Sequence, residues 1–454
     1  MKAATSWDVT RVGERFVEHF QERGFQRLEG GSLLNEALPM TFVMSAGLVQ
    51  FEKLSPIAKV NERYVLIQNC FRHFDISQIG KSAFHLSLFQ MPGAFSFGTL
   101  DKHVCIASIL GLLTQKYNFA PEDLYVTYFS GGEVDGQMIP RDEETADAWY
   151  GSGIPKTHVI GLGIESNFWR QSTRMVGLIN SRKCGPITEV FYDRGAKVGC
   201  GELYCRPGCS CGRFVEILNN LFISLRIDED SGGIVPLDVP FTETVIGSER
   251  TTALLNHFDS VYEIDTVQPL MRQISQFAQV ASGEKEISPL HYRVMVDHLR
   301  ALLFLIHDGA PSPGKGGRSR LMRILIRQLL TSKLLLGIVS PTFFLSVTTT
   351  ALEIYPHLTR ETQQRLLEML SDEDERFKRT LQHGIRKLER MIAQHGKLRL
   401  TGEEILELET SEGIPLHFLI RVLEQKGVSY SLTDYQFAHR KWEDDNSAGK
   451  EARS

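Results

Sequence analysis

The chain contains no apolar run approaching the ~18 residues that a membrane-spanning helix needs, so a transmembrane class is not expected. Its start, MKAATSWDVTRVGERFVEHF, has no apolar h-region. It reads as a folded helix with its cap, not a signal peptide. Nor is there an excess of one charge. The 50 Lys and Arg against 55 Asp and Glu leave a net charge of −5, which does not single out a basic nucleic-acid binder. A local basic face can still sit inside such a neutral total. Cysteine is scarce and odd in number, seven in 454 residues, and no export signal accompanies it. That favours a reducing cytoplasm over a disulfide framework. No internal repeat is visible.

What is present is enough length for two or three domains around a large core. The pattern changes near residue 255. Before it, short alternating stretches such as RYVLIQNCF and LYVTYF lie between Gly-rich turns and predict strands. Two helices flank them: one with Val9, Val12, Phe16 and Phe20 on a stripe and Gly24 closing it, the other KHVCIASILGLLTQKY. After 255 the long amphipathic segments HYRVMVDHLRALLFLIHDG, RSRLMRILIRQLLTSKLLLG and RFKRTLQHGIRKLERMIAQHG each end at Gly. The expected fold class is α+β: an antiparallel sheet flanked by helices over residues 1–255, then an all-helical domain over 256–440 and a disordered tail over 441–454.

Four of the seven cysteines crowd into residues 199–212. Cys200, Cys205, Cys209 and Cys211 give C-x4-C-x3-C-x-C, bent by Gly199, Gly201, Pro207, Gly208 and Gly212. Four thiolates around a tetrahedral zinc need such tight turns. The alternative is a set of unrelated buried thiols, but those are scattered in apolar runs, as Cys70 and Cys105 are. A catalytic zinc is disfavoured, because four ligands leave no open position.

Around this cluster the residues become recognisable. NFWRQ, CGPITEVFYDRG and CGRFVEILNNLF resemble the catalytic core of alanyl-tRNA synthetases, in the branch with a cysteine-rich insertion. FVMSAGLVQFEK, QNCFR with FHLSLFQMPGAFSFG, and ETVIGSERTTALLN resemble that family's three class II motifs in order. The resemblance continues into the helical half and covers roughly residues 6–435.

The resemblance implies ATP-dependent formation of an aminoacyl adenylate on an antiparallel sheet, with Mg2+ screening the triphosphate. Positive charge must then sit where negative charge develops on the α-phosphate. Arg72 matches the arginine on the α-phosphate and carboxylate, and Arg250 the one over the γ-phosphate and adenine. Either alone would read as a surface ion pair. His85 matches a histidine near the phosphates, and Phe89 an adenine-stacking ring, although both also suit a packed core. Glu189 fits a Mg2+ or ATP-side carboxylate, with a solvated glutamate as the rival reading.

The amino acid pocket implied by the resemblance comprises Leu48, Trp169, Leu218, Asn219, Leu221, Glu243 and Val245. Several of these depart from the family's pattern. Glu243 stands for an aspartate, Val245 for a glycine, Leu221 for a valine, Leu218 for a tryptophan and Leu48 for a methionine. Some changes fill space and one opens it, so specificity can move. On the nucleic-acid side, PSPGKGGRSRLMR lacks the asparagine and LETSEGIP the aspartate with which the family reads a G·U pair. Arg318, Arg320, Arg323, Arg327 and Lys333 form a basic helix suited to tRNA phosphates or another anionic partner, or an ordinary solvated face. No HxxxH pair occurs, and the resemblance ends before the family's editing domain, so proofreading in cis is not expected. Three functions compete: adenylation with transfer to a small-molecule or carrier acceptor, ranked first; a trimmed tRNA ligase; and a non-catalytic binder of amino acid or tRNA.

Overall fold

The computed structural model describes residues 6–36, 38, 40–46, 61–98, 101–171, 181–228, 232–279, 288–395 and 399–451. The first helix, α1 (Val9–Gln21), starts where the Asp8 carboxylate accepts the Arg11 N–H at 2.7 Å. A carboxylate there satisfies one of the donors a helix start leaves open. Val9, Val12, Phe16 and Phe20 are buried along one side, and Gly24 follows in the left-handed region at φ +84°.

The strands are β1 (Gln26–Arg27), β2 (Arg63–Phe71), β3 (Leu88–Phe97), β4 (Leu124–Phe129), β5 (Gly132–Val134), β6 (Gln137–Ile139), β7 (Val159–Leu162), β8 (Phe168–Arg170), β9 (Ser181–Asp193), β10 (Phe214–Asp228) and β11 (Ile234–Ile246). Nine of them make one sheet in the order β1-β2-β3-β11-β10-β9-β4-β7, with β8 also on β9. Pairing is antiparallel from β2 across to β4, but β1–β2 and β4–β7 are parallel. The sheet is therefore mixed, where the sequence suggested an antiparallel one. Parallel neighbours need a crossover, and α3 supplies it between β4 and β7. The helices around the sheet are α2 (Lys102–Gly111), α3 (Glu143–Tyr150), α4 (Ile164–Asn167) and α5 (Ser248–Leu255).

β8 joins the sheet on β9, at a point where β9 comes close to β10. A Cβ on Gly185 would stand 2.1 Å from the Phe222 carbonyl oxygen, so only glycine lets β9 and β10 approach there. Gly185 is the pairing partner of Trp169 on β8.

Beyond residue 255 the chain is helical: α6 (Gln268–Phe277), α7 (Ser288–His307), α8 (Gly317–Leu335), α9 (Phe343–Ile354), α10 (Arg360–His395), α11 (Gly402–Thr410), α12 (Leu416–Gln425) and α13 (Leu432–Glu451). The last of these runs into the stretch read as a tail. The change from strand to helix falls near the expected boundary, yet the hydrophobic core runs across it. One buried cluster includes Val9 and Phe16 of α1, Leu299 and Leu302 of α7, and Phe377 of α10. A second gathers Leu388, Ile405, Leu419 and Tyr435. At about 1.5 Å per residue, the 36 residues of α10 are long enough to serve both clusters.

Candidate active site

Strand register builds the floor of the site. Directly paired residues point to the same face of a sheet. Asn219 on β10 pairs with Val245 on β11 and with Glu189 on β9, and Val245 pairs with Gly93 on β3. The next row joins Leu221 with Glu243. A cleft of about 270 Å³ lies over these rows, lined among others by Arg72, His85, Phe89, Trp169, Asn219, Leu221, Glu243, Val245 and Arg250. Nine sequence-predicted residues from five segments thus meet in one place. Glu189 stands beside them, its Oε1 accepting from Asn219 Nδ2 at 3.4 Å.

Leu218 does not belong to this group. Side chains alternate along a strand, and Leu218 follows its partner Ile246 into the opposite face, where it is 1% exposed in the main core. It cannot open the pocket as expected. Leu48 lies outside the described residues. Glu216 is the residue that simple alternation hides. It is three positions from Asn219 and so belongs to the opposite face, but the register against β9 shifts between Glu216 and Leu218. That bulge turns Glu216 into the cleft.

Both arginines are held by backbone carbonyls. Arg72 donates from Nε to Met44 O at 3.1 Å, and its guanidinium lies 5.0 Å from the Phe89 ring centroid. Arg250, in the first turn of α5, donates from Nη1 to Glu216 O at 2.9 Å and from Nη2 to Phe84 O at 3.5 Å. It also pairs with the Glu216 carboxylate at 3.4 Å. Burial, and then the Arg250 charge, hold the His85 imidazole below its usual pKa, so it is neutral at pH 7. Its Nδ1 lies 2.6 Å from Ser82 Oγ.

Burial, and then repulsion from Glu216, push the Glu189 carboxyl up to about 8. Two carboxylates that repel each other beside an arginine fit a divalent cation with hard oxygen ligands. The Asn219 carbonyl oxygen is buried without a hydrogen-bond partner among the described residues. An orphaned acceptor in a cleft awaits a donor, and Glu243, 4% exposed in the next row, supplies a carboxylate. Chemically, the cleft combines two arginine cations with acceptors for an ammonium.

A family profile for tRNA synthetases class II (A) matches residues 11–454. The chain belongs to this family. It is 32% identical over 429 residues to an alanine–tRNA ligase of Dehalococcoides mccartyi, covering 93% of this chain and 47% of that protein. With an alanine–tRNA ligase of Carboxydothermus hydrogenoformans the identity is 30% over 452 residues, 97% of this chain and 49% of that protein. The chain thus spans about half the length of the curated relatives it matches. Among solved structures, the apo histidyl-tRNA synthetase of S. aureus aligns with 61% of this chain and 81% of its own, at 9% identity and a TM-score of 0.35.

In this member of the family the four clustered cysteines come together in the loop between β9 and β10. Their sulfurs all lie within 4.8 Å of one another, Cys200 to Cys209 at 3.8 Å and Cys205 to Cys211 at 3.6 Å. A tetrahedron with metal–sulfur bonds of ~2.3 Å has edges of about 3.8 Å, so the set fits a four-coordinate ion. The backbone N–H of Arg213 holds the Cys211 thiol down to about 6, whereas burial and the neighbouring thiols push Cys205 up to about 12. At the loop's base Arg213 clamps Asp193 through two hydrogen bonds, at 2.7 and 2.6 Å.

The basic helix is used differently from the expectation. Arg318 spends its guanidinium on the carbonyls of Asn35, Leu38 and Thr41 at 2.6–2.8 Å. Arg323 and Arg327, one turn apart on α8, converge on the buried Glu373 carboxylate of α10 at 3.6 and 2.8 Å. A buried carboxylate requires such partners. Arg320 is exposed, and the Lys333 ammonium lies 5.5 Å from the Phe344 ring centroid. Only part of the row faces outward. No helix among the described residues is long and apolar enough to cross a membrane.

Proposed function

We propose that this cleft activates a small α-amino acid with ATP, forming an aminoacyl adenylate and releasing pyrophosphate, and that the acyl group then passes to a tRNA hydroxyl as AMP leaves. The observation that carries the reading is one cleft lined both by an orphaned buried acceptor and by two arginines. The orphaned Asn219 oxygen and the Glu243 carboxylate face the substrate ammonium, while Arg72 and Arg250 stand where the triphosphate and the attacking carboxylate meet. The carboxylate oxygen forms a bond to the α-phosphorus as the bond to the pyrophosphate oxygen breaks. Arg72 offsets the charge that grows there, and Arg250 the charge of the leaving group. Mg2+ held by Glu189 and Glu216 would screen the triphosphate. The four cysteines would hold a structural zinc. A cytoplasmic location accords with these substrates.

Of the departures from the family pattern, those that line the cleft, Glu243, Val245 and Leu221, all add bulk. We therefore expect the pocket to favour alanine or glycine over larger side chains. An ATP–pyrophosphate exchange panel across amino acids tests this. Exchange confined to bulky amino acids, or none with any, overturns the reading.

Transfer to tRNA is favoured by the two alanine–tRNA ligase relatives. A second reading, transfer to a small-molecule or carrier acceptor, draws on α8, where Arg318, Arg323 and Arg327 are engaged within the chain. Charging of tRNA(Ala) transcripts, with and without the G·U pair, separates the two. Charging is expected to be salt-sensitive and indifferent to that pair, since phosphate contacts position a nucleic acid without reading it. Exchange without charging of any tRNA selects the second reading.

Glu189 links pH to stability. In the folded chain it keeps its proton up to about 8, whereas the unfolded carboxyl loses it near 4.5. The folded state therefore binds more protons between those values, and stability falls as pH rises through that window. Glu189→Gln removes this slope. Its thermal midpoint is expected to decline less than that of the unsubstituted chain between pH 6 and 8.5 without Mg2+ or ATP; equal slopes contradict the assignment.

A further inference from the structure

Helix α7 reaches from the helical region into the cleft's supports. Asp297, fully buried, accepts from the Ser87 N–H at 2.7 Å and from the Ser87 hydroxyl at 2.5 Å. Ser87 sits two residues after His85 and directly before β3. The same Asp297 carboxylate meets His298 Nδ1 at 2.9 Å, and His298 Nε2 lies 2.5 Å from Gln328 Oε1 of α8. One turn along, Arg300 spreads its fork over three acceptors. Nε donates to the Tyr355 hydroxyl at 2.7 Å, Nη1 to Leu88 O at 3.4 Å and Nη2 to Glu249 Oε1 at 3.4 Å. Glu249 precedes Arg250, lines the cleft, and takes the Gln90 N–H of β3 at 2.9 and 3.1 Å.

Arg300 and Glu249 are 2% and 4% exposed at their side chains, so neither serves solubility. A buried ion pair contributes little net stability compared with apolar residues of the same volume, because desolvation offsets the attraction. What a fully satisfied buried network supplies is a single fixed arrangement of the groups it joins. Here those groups are the segment carrying His85 and the turn carrying Arg250. Neither Asp297 nor Arg300 lines the cleft; each acts through a residue that leads into it.

We infer that Asp297 and Arg300 are positioning residues for adenylation: one turn of α7 grips Ser87, Leu88 and Glu249 and thereby sets where His85 and Arg250 stand on the cleft. The inference rests on the adenylation reading above. It makes the helical region part of the adenylation machinery, before any tRNA is involved.

The test uses the full chain with Arg300→Lys, Asp297→Asn and Ser87→Ala. Arg300→Lys keeps a cation beside Glu249 but lacks the fork. Asp297→Asn keeps one acceptor for the Ser87 N–H and loses the other. Active sites are counted by the burst of adenylate formed, and exchange is expressed per counted site. A misplacement of about 1 Å at reacting groups lowers rate up to ~10²-fold. Arg300→Lys and Asp297→Asn are therefore expected to lose about ten- to a hundredfold in kcat per site, with KM for the amino acid nearly unchanged. Ser87→Ala, the variant least able to disturb folding, is expected to lose less, with the same split. Fewer active sites at unchanged kcat per site, in Ser87→Ala and whichever other variants fold, would mean a purely structural role and overturn the inference. No exchange by the unsubstituted chain would overturn the adenylation reading, and this inference with it.

Discussion

Arg250→Ala is expected to lower amino acid-dependent ATP–pyrophosphate exchange by roughly 10²–10³-fold, the range seen when one preorganised charge-stabilising donor is removed. The guanidinium does two things in this cleft. In the proposed reaction it would carry the charge set against the departing pyrophosphate, and it ties Glu216 O to Phe84 O across the site. Alanine removes both, and lysine restores only the charge, because a point cation lacks the fork. Arg250→Lys should therefore recover part of the activity and leave a deficit. Arg72→Ala should be comparably damaging, since Arg72 stands over Phe89 on the same wall. The Arg250 side chain is 26% exposed, so its loss need not unfold the chain. Circular dichroism and a thermal melt check that point. Exchange near the unsubstituted rate in either alanine variant would refute the assigned roles.

The second large effect concerns the four-cysteine loop. Purified chain is expected to carry about one zinc, and Cys205→Ser with Cys211→Ser should reduce that to near zero. Metal analysis alongside a thiol-reactivity assay reads both outcomes. Thiolates must be deprotonated to bind, so the metal should also leave at acid pH or to a strong chelator. The loss should be local. The loop hangs between two long strands whose pairing and core do not include it, and Leu203 and Tyr204 at its tip are 87% and 85% exposed. Proteolysis within 199–212 should accelerate in the double variant while the main thermal transition moves little. A metal-free preparation with equally protected cysteines would count against the site.

Much of this molecule is legible from local pattern. RYVLIQNCF and LYVTYF coincide with β2 and β4, because strand-forming residue types between turns are a property of a few adjacent residues; in the fold β4 is buried at five of its six positions and does not alternate. The stripe on α1 and the glycines closing α7 and α8 are equally local. The cysteine spacing already implied a common centre, since fourteen residues with five bends leave the thiols few other places to go. Arg72, Arg250, Asn219 and Glu243 were legible too, but through the order of motifs along the chain.

Tertiary structure decided the remainder, and in each case the cause is long-range. A bulge against β9 turns Glu216 into the cleft, and the unbroken pairing with β11 sends Leu218 away from it. Neither can be read from β10 alone, because facing depends on the register of the neighbouring strand. Arg323 and Arg327 look like phosphate ligands until α10 brings Glu373 beneath them from some fifty residues away. The Arg300–Glu249 pair is likewise invisible in either segment, since a charged residue declares its burial only when its partner arrives. Sequence by itself determined which residue types were available and which short segments carried them. Packing determined which charges were left facing the cleft, because a buried charge must be matched before any remaining one is free to meet a substrate.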